Sequence, residues 1–420
     1  MRLLGKIFIF LLAYQTVLAQ TESMPAESVI CHYTEEDSFT QILPDEKLAS
    51  NARVLATSTI QVTYVDFPAA AKTAYEKAMS LWAKYLYSSQ PIKIKATWTS
   101  LSTGVLAVTG ATRIYKNFQN APYQNVWYPA SLAEAISGKN LNDNDFEIEM
   151  KINSGMNWYY GVDGKSQSGK YDLITVVMHE IAHGLGFSSS FKLVNSNTQG
   201  QYGQSGSNYI YDMFLQNTGK IKLTNSGVFG NPSTDLKTAL TGNAIYFGLR
   251  NSSYANFLPK LYAPSAFNDG SSISHFDESY YPQGNPNSLM SPNVRSAEVN
   301  QSPGDLLLRC LQDMGWQIVG IEGNLITANE YTVEPILSAI VFPNPVTDIV
   351  KVAFPLRNQG RDISIELFDV KGRTLQRIES QSITSETIPV DLSQLPDGIY
   401  LMKIVDGTQV MTKKLVKSPN

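Results

Sequence analysis

The chain has 420 residues, of which 43% are hydrophobic, and a formal charge of −4. The hydrophobic content can fill a substantial core and excludes a chain that is disordered throughout, and the length predicts two folded units plus processed ends. No basic stripe and no run of Lys or Arg is present, so nothing supports a nucleic-acid partner.

Residues 1–19 have the pattern of a secretory signal peptide. Arg2 and Lys6 flank the start of the apolar run Ile7–Leu12, and Val17–Ala19 places small residues before the expected cleavage after Ala19. The run is too short to span a bilayer comfortably, and no later segment reaches membrane-spanning length. The sequence therefore predicts export with no transmembrane segment after signal removal, with an uncleaved anchor as the alternative.

Residues 20–56 are polar and irregular, and they are interpreted as a pro-segment or an arm draped over the fold. Regular periodicity then begins and predicts one domain over 57–319. Its predicted elements are a strand at Ile60–Val65, a helix at Pro68–Tyr87, strands at Ile92–Trp98 and Phe146–Ile152, a helix at Tyr171–Leu185 and a short helix at Pro303–Met314. This order predicts an α+β domain with a sheet packed by two helices.

Two further regions differ in composition from this domain core. From Gly186 to about Gly270 the chain is rich in Gly, Asn, Ser and Tyr, which predicts a long insertion of loops and short strands. After a linker at 320–337, residues 338–420 predict a small all-β sandwich. Its candidate strands are Ile340–Phe342, Ile349–Phe354, Ile363–Asp369, Ile388–Leu392, Gly398–Val405 and Gln409–Val416.

The strongest chemical signal is the run His179-Glu180-Ile181-Ala182-His183 on the second long helix. Positions i and i+4 share one helix face, so both imidazoles point at the same spot, where nitrogen ligands suit Zn²⁺. Glu180 lies beside them and can act as general base on water that the metal activates. The chain has only four histidines, which makes a chance pairing on a core helix a weak alternative.

These residues resemble the metzincin zinc peptidases. The helix motif continues as Gly184-Leu185-Gly186, and Gly186 can end the helix by adopting a positive φ. The compact metzincin motif would place a third His at 189, where this chain has Ser189. The leishmanolysin-like variant, with a long insertion before the third His, fits better, and the resemblance covers roughly residues 58–318.

That variant implies His275, in the run Ser274–Asp277, as the third zinc ligand. It also implies a Met-turn at Asn287–Pro292, with Met290 as an apolar floor beneath the ligands. Other ligands remain open from the residues alone. His32 could compete for the third position, and Asp212 or Asp277 could supply a carboxylate as in gluzincin-type sites.

Two features near the motif have an expected role in the cleft. In metzincins the edge strand before the zinc helix pairs with an extended substrate, which here would be Phe146–Ile152. The aromatics of Asn157–Gly161 line the cleft or pack in the core. Asp143-Asn144-Asp145 offers oxygen ligands for Ca²⁺, with a polar turn as the alternative.

The two cysteines, Cys31 and Cys310, have two interpretations. An exported chain meets an oxidising compartment, so the pair is expected to form one disulfide between the N-terminal arm and the end of the protease domain. Alternatively, Cys31 is a thiol that blocks the zinc from within a pro-segment, because a thiolate is a good zinc ligand.

The C-terminal residues carry a second resemblance. Phe342–Val346, Ile363–Arg373 and Leu395–Ile404 are similar to the C-terminal sorting domain of type IX secretion substrates. This resemblance implies that the type IX machinery is a partner. It also implies passage across the outer membrane of a Gram-negative bacterium, followed by release or surface attachment. A binding β-sandwich with no sorting role is the alternative.

The sequence thus predicts a secreted zinc-dependent endopeptidase that acts on proteins or peptides, with Glu180 as general base. The competing class is a surface adhesin built on a metal-stapled scaffold without turnover. A structural zinc site is closed by a fourth ligand and needs no base, so Glu180 favours the peptidase.

Overall fold

The computed structural model describes residues 20–44, 58–143, 145–249, 258–319, 340–353, 362–382, 387–406 and 409–418. The predicted signal peptide 1–19, the arm residues 45–56 and the linker 320–337 lie outside these ranges. The first domain contains five α-helices: α1 Ala69–Trp82, α2 Ala130–Ser137, α3 Leu173–Gly184, α4 Thr234–Leu240 and α5 Gly304–Met314. All are too short or too polar to cross a membrane.

The strands of the first domain are numbered in chain order. The first ten are β1 Glu22–Pro25, β2 Val29–Asp37, β3 Gln41–Ile42, β4 Ile60–Val65, β5 Leu86–Tyr87, β6 Ile92–Thr99, β7 Val105–Ala111, β8 Arg113–Lys116, β9 Val126–Pro129 and β10 Ile148–Asn153. They are followed by β11 Trp158–Tyr159, β12 Tyr171–Asp172, β13 Lys192–Val194, β14 Gln199–Gln201, β15 Asn208–Tyr209, β16 Leu215–Asn217, β17 Ile245–Phe247, β18 Asn293–Ser296, β19 Val299–Asn300 and β20 Gln317–Ile318.

A six-stranded sheet forms the centre of this domain, in the order β18-β2-β7-β10-β6-β4. Strands β4, β6 and β10 run parallel, and β7 runs antiparallel to β10. Alternating side chains of β6, such as Ile92 and Ile94, are fully buried, which is the pattern of a strand with one face in a core. Helices α1 and α3 pack together, and the Trp82 indole donates to the Met178 carbonyl at 2.9 Å.

The predicted elements agree with this architecture except at their ends. Helix α1 ends at Trp82, not at Tyr87, because Leu86 and Tyr87 leave the helix and pair with β20. Helix α3 begins at Leu173, and the strand predicted from Phe146 begins at Ile148. The segment from Val105 to Ser137, which carries β7, β8, β9 and α2, was not predicted.

The N-terminal arm is the largest correction to the prediction. It was expected to be irregular, but β1, β2 and β3 all pair with the domain. Strand β2 is inserted between β7 and β18 as an interior strand of the central sheet. Val29 and Cys31 are buried there, whereas the acidic end of β2 is exposed.

The insertion after α3 contains short strands, as expected, together with the unpredicted helix α4. The C-terminal region has seven strands: β21 Ile340–Phe342, β22 Ile349–Ala353, β23 Asp362–Asp369, β24 Thr374–Ser382, β25 Thr387–Asp391, β26 Gly398–Asp406 and β27 Gln409–Lys417. They form sheets in the orders β21-β22-β25 and β24-β23-β26-β27, which share one apolar core. The predicted β-sandwich is therefore confirmed, with β24 as the additional strand, and the chain as a whole is mixed α+β.

Candidate metal centre

Residues at the two ends of helix α3 determine where the helix begins and ends. The Asp172 carboxylate caps the N-terminus by accepting from the Thr175 backbone N–H at 2.9 Å and the Thr175 hydroxyl at 2.7 Å. At the other end Gly186 has a φ of 109°, so the chain turns sharply after Leu185. All twelve helix residues are buried, which places any polar group on this helix inside the protein.

The structure brings His179, His183 and His275 together. Their Nε2 atoms are 3.0 Å apart between His179 and His183, 3.2 Å between His179 and His275, and 3.3 Å between His183 and His275. All three side chains are almost completely buried. Three nitrogens at this spacing can hold a single metal ion.

The Nδ1 atom of each histidine ring is hydrogen-bonded to a backbone carbonyl oxygen. His179 Nδ1 lies 2.7 Å from Leu289 O, His183 Nδ1 2.7 Å from Phe187 O, and His275 Nδ1 2.7 Å from Ser271 O. A carbonyl only accepts, so each Nδ1 must carry the proton and each Nε2 presents a lone pair. Burial lowers the pKa of His179 to about 4 and those of the other two rings well below the ordinary value, which keeps them neutral.

This donor set fits zinc. Three nitrogens placed about 2.0–2.1 Å from a tetrahedral Zn²⁺ would be separated from one another by about 3.3 Å. The observed separations of 3.0–3.3 Å are close to that value. Lone pairs that face each other across these distances repel, and a cation between them removes the repulsion.

Backbone hydrogen bonds at His275 and at the next residue hold the segment that carries His275. The Tyr262 N–H donates to His275 O at 2.8 Å, and the Phe276 N–H donates to Met290 O at 2.8 Å. Next to it, Lys260 and Asp277 form a buried ion pair at 2.9 Å. The Ser274 hydroxyl also accepts from the Ser189 N–H at 3.0 Å, which ties this segment to the end of α3.

The alternative ligands have other partners. Asp212 accepts from the hydroxyls of Ser189 and Ser190, and Asp277 pairs with Lys260. His32 Nδ1 lies 3.2 Å from Gly104 O. None of the three belongs to a metal-ligating group among the described residues. Asp212 instead fixes the loop after α3, a role that its sequence position did not indicate.

Glu180 is completely buried beside the histidines. Neither of its carboxylate oxygens has a hydrogen bond of normal geometry within the described part of the chain. Burial raises the pKa of Glu180 to about 8, and the nearby Thr109 hydroxyl and Cys31 thiol lower it in part. A buried carboxyl group without a firm partner is costly for stability, which is typical of a residue kept for chemistry.

Cys31 lies next to this carboxyl group. Its sulfur, a His179 nitrogen and a Glu180 oxygen all fall within 4.8 Å of one another. The expected Cys31–Cys310 disulfide is absent, because both residues are free, buried thiols. Cys310 is on α5 near Tyr211, so the two thiols have different surroundings. The prediction of a bridge is therefore wrong for this structure, and the alternative, in which Cys31 blocks a metal, stays a prediction.

Met290 ends a buried 3₁₀ turn, Ser288–Met290, that packs against α3. The preceding residue, Leu289, supplies the carbonyl that orients His179. The turn therefore supports the histidines through its backbone as well as through an apolar side chain. Asp145 accepts from the Phe146 N–H at 2.9 Å, and with Asp143 it joins no metal-ligating group among the described residues.

The strand next to α3 in the cleft is not the one that was predicted. Strand β10, predicted as the edge strand, is interior and lies between β7 and β6. Strand β7 packs against α3 instead, and it lies between β10 and β2 of the arm. The aromatics Trp158 and Tyr160 contact Trp98 and pack with the core.

Comparison with known families identifies the C-terminal region. A model described as secretion system C-terminal sorting domain matches residues 340–418. The sandwich is a type IX sorting domain. The chain is therefore secreted or displayed on the outer cell surface, and the secretion machinery is a partner of this domain. A second model, described as SPBPB7E8-like, matches residues 127–231, which include His179 and His183 but not His275.

Three solved structures resemble limited parts of the chain. A DUF3244 family protein with an immunoglobulin-like β-sandwich from Bacteroides vulgatus is 18% identical, covers 19% of this chain and 83% of its own, and has a TM-score of 0.17. Dimeric latent PorU from Porphyromonas gingivalis is 20% identical over 21% of this chain and 10% of its own, with a TM-score of 0.18.

The BSP domain of a biofilm associated protein is 19% identical over 20% of this chain and 14% of its own, with a TM-score of 0.16. No curated protein matches the sequence. The resemblance to metzincins therefore rests on the residues alone.

Proposed function

We propose that this protein is a secreted zinc-dependent endopeptidase. The observation that carries the proposal is the group of three neutral imidazoles, whose Nε2 lone pairs converge within 3.3 Å beside the buried Glu180. Among the described residues these three histidines form a metal-ligating group with no fourth member, which is typical of a catalytic zinc site, whereas a structural site is closed by a fourth ligand.

The metal would be held by His179, His183 and His275. When bound, it would supply Lewis-acid polarisation of a peptide carbonyl and of water. Glu180 takes the proton from the attacking water and returns it to the leaving amine. Burial raises the pKa of Glu180, and a bound cation would favour its carboxylate form and so offset that rise.

The N-terminal arm would control when the protein is active. The three histidines and Glu180 are at most 2% exposed, and β2 with Cys31 is part of what covers them. A protein substrate needs a route to these residues, so we propose that the arm holds the chain latent until it is displaced or removed.

Incubation of the secreted, zinc-loaded protein with a diverse peptide library tests the function. Once the arm has been removed, cleavage should occur, stop with a chelator and return when zinc is added. Absence of cleavage by zinc-loaded protein from which the arm has been removed would contradict the proposal and favour the non-catalytic adhesin.

A further inference from the structure

We propose that an apolar pocket beside His183 binds an apolar side chain of the substrate, on the N-terminal side of the bond that is cut. The proposal rests on the peptidase function above and specifies its substrate class. The walls of this pocket include Ala111, Ile114, Trp127 and Tyr209.

The arm shows how an extended chain lies across this pocket. Ala26 and Glu27 are at its mouth, just before β2. The Ala26 side chain packs against the small apolar cluster formed by Ile114, Trp127 and Tyr209. The Glu27 carboxylate is instead paired with Lys192 at 2.8 Å. The pocket therefore already accepts an apolar side chain.

Gly110 allows a backbone to pass close to the pocket. A Cβ at this position would lie 3.0 Å from the Glu27 carbonyl oxygen and 3.1 Å from Ser28 Cα. Gly110 lies within β7 and has an ordinary strand conformation, so a positive φ does not explain the glycine. Close approach of a neighbouring backbone does explain it. A peptide that replaces the arm would have the same clearance.

The register of the arm indicates on which side of the scissile bond the side chain in the pocket would lie. Strand β2 runs antiparallel to β7, with Cys31 paired to Ala107 and placed next to Glu180. Ala26 lies three residues before the first residue of β2 and five residues before Cys31. A substrate in the same direction would place its reacting bond near Glu180 and an earlier residue over the pocket.

Mapping of the bonds that the secreted protein cuts in a peptide library, after the arm has been released, tests this inference. Apolar side chains should be enriched at one fixed position before the cut. Ala111→Phe fills the pocket from its rim and should lower kcat/KM for such peptides by about 10-fold or more, with a smaller loss for peptides that have Gly there. Thr73→Phe, on the exposed face of α1, is the matched control.

A profile with no preference before the cut, or equal losses for both kinds of peptide, would overturn the pocket while leaving the peptidase function intact.

A second measurement does not need turnover. In the full chain, Ala26→Leu should slow release of the arm by an added protease about threefold or more, because it buries more apolar surface. Ala26→Asp should speed release, because it places a charge against apolar walls.

Thr21→Leu and Thr21→Asp are controls on an exposed residue of the same arm. If the Ala26 variants release the arm no differently from these controls, the pocket does not select apolar side chains. If no peptide is cut, the peptidase function fails, and the Ala26 variants still decide whether the pocket exists as proposed.

Discussion

Three backbone carbonyls determine which nitrogen each histidine presents. Leu289, Phe187 and Ser271 each accept from an Nδ1–H, so every Nε2 lone pair faces the same point. These carbonyls come from three different segments: the 3₁₀ turn Ser288–Met290, the turn after Gly186 and the loop before His275. Metal affinity should therefore depend on these turns as well as on the imidazoles.

Glu180→Gln should leave zinc occupancy unchanged and lower kcat by about 10²–10⁴-fold, because an amide cannot accept the proton. The unfolding temperature should not fall, since Glu180 has no hydrogen bond of normal geometry to lose. Metal analysis, thermal unfolding and kinetics on the same sample check all three. Near-normal turnover in a zinc-replete variant would show that Glu180 is not the base.

His275→Ala should empty the zinc site, because His275 Nε2 lies 3.2 and 3.3 Å from the other two ring nitrogens. His32→Ala is the control, since His32 is bonded to Gly104 outside the histidine group. Metal content of the two purified variants distinguishes them. The ligand set is wrong if His32→Ala is the variant that loses zinc.

How far the sequence predicted the site depends on the range of each interaction. His179, Glu180 and His183 share one helix face, so local periodicity was enough to group them. The role of His275 was predicted from a family resemblance, because the fold of the long insertion could not be predicted from its residues. The proximity of Cys31 to Glu180 was not predictable from periodicity, because it depends on pairing between β2 and β7.

At the scale of elements, the arm is an additional strand of the sheet. Its Glu22, Glu27 and Glu36 pair with Lys116, Lys192 and Arg295 of the domain. Asp37 accepts from Ser168, Ser296 and the Gly169 N–H, which lower its pKa. The sequence suggested an irregular segment because only Val29 and Cys31 of β2 are buried and its acidic end resembles a loop.

Cys31→Ala should raise the activity of the chain that still carries its arm, because the sulfur lies next to His179 and Glu180. Cys310→Ala, on α5, is the matched control and should have no comparable effect. Both thiols are buried, so each should react with an alkylating agent only after unfolding. Equal effects of the two substitutions, or a Cys31–Cys310 peptide in non-reducing maps, would contradict this placement.

The contact between α3 and β10 is close enough to require glycine. A Cβ at Gly184 would lie 2.6, 2.7 and 2.9 Å from three side-chain atoms of Ile148, which is fully buried. Alanine would gain about 1 kcal/mol in helix propensity, but overpacking of this kind costs about 1–3 kcal/mol. The clash should win because Ile148 is β-branched and stiff.

Gly184→Ala should therefore lower the free energy of unfolding measured in urea. In an Ile148→Ala background the clash is gone, so the same substitution should be neutral or stabilising. A double-mutant cycle measures this change of sign. An equal cost in both backgrounds would show that Ile148 is not the residue that requires glycine.

At the scale of the whole molecule, the described residues form two large apolar cores. The buried residues of one lie between Cys31 and Ile318, and those of the other between Val346 and Leu415. No residue is shared, so each core has its own apolar driving force for folding. The sequence predicted this division well because a change from mixed to β-rich composition marks it, whereas the cross-strand pairing inside each domain is non-local.

Deletion of residues 338–420 tests whether the two cores are independent and what the second one is for. The truncated chain should retain zinc and its unfolding transition, because every residue of the first core precedes the cut. It should also accumulate in the periplasm, because the region that matches a sorting domain, 340–418, is lost. Fractionation of the producing cells measures the location, and metal content of the periplasmic protein measures the fold. Unchanged export would refute the sorting role, and a truncated chain without zinc would show that the first core depends on the second.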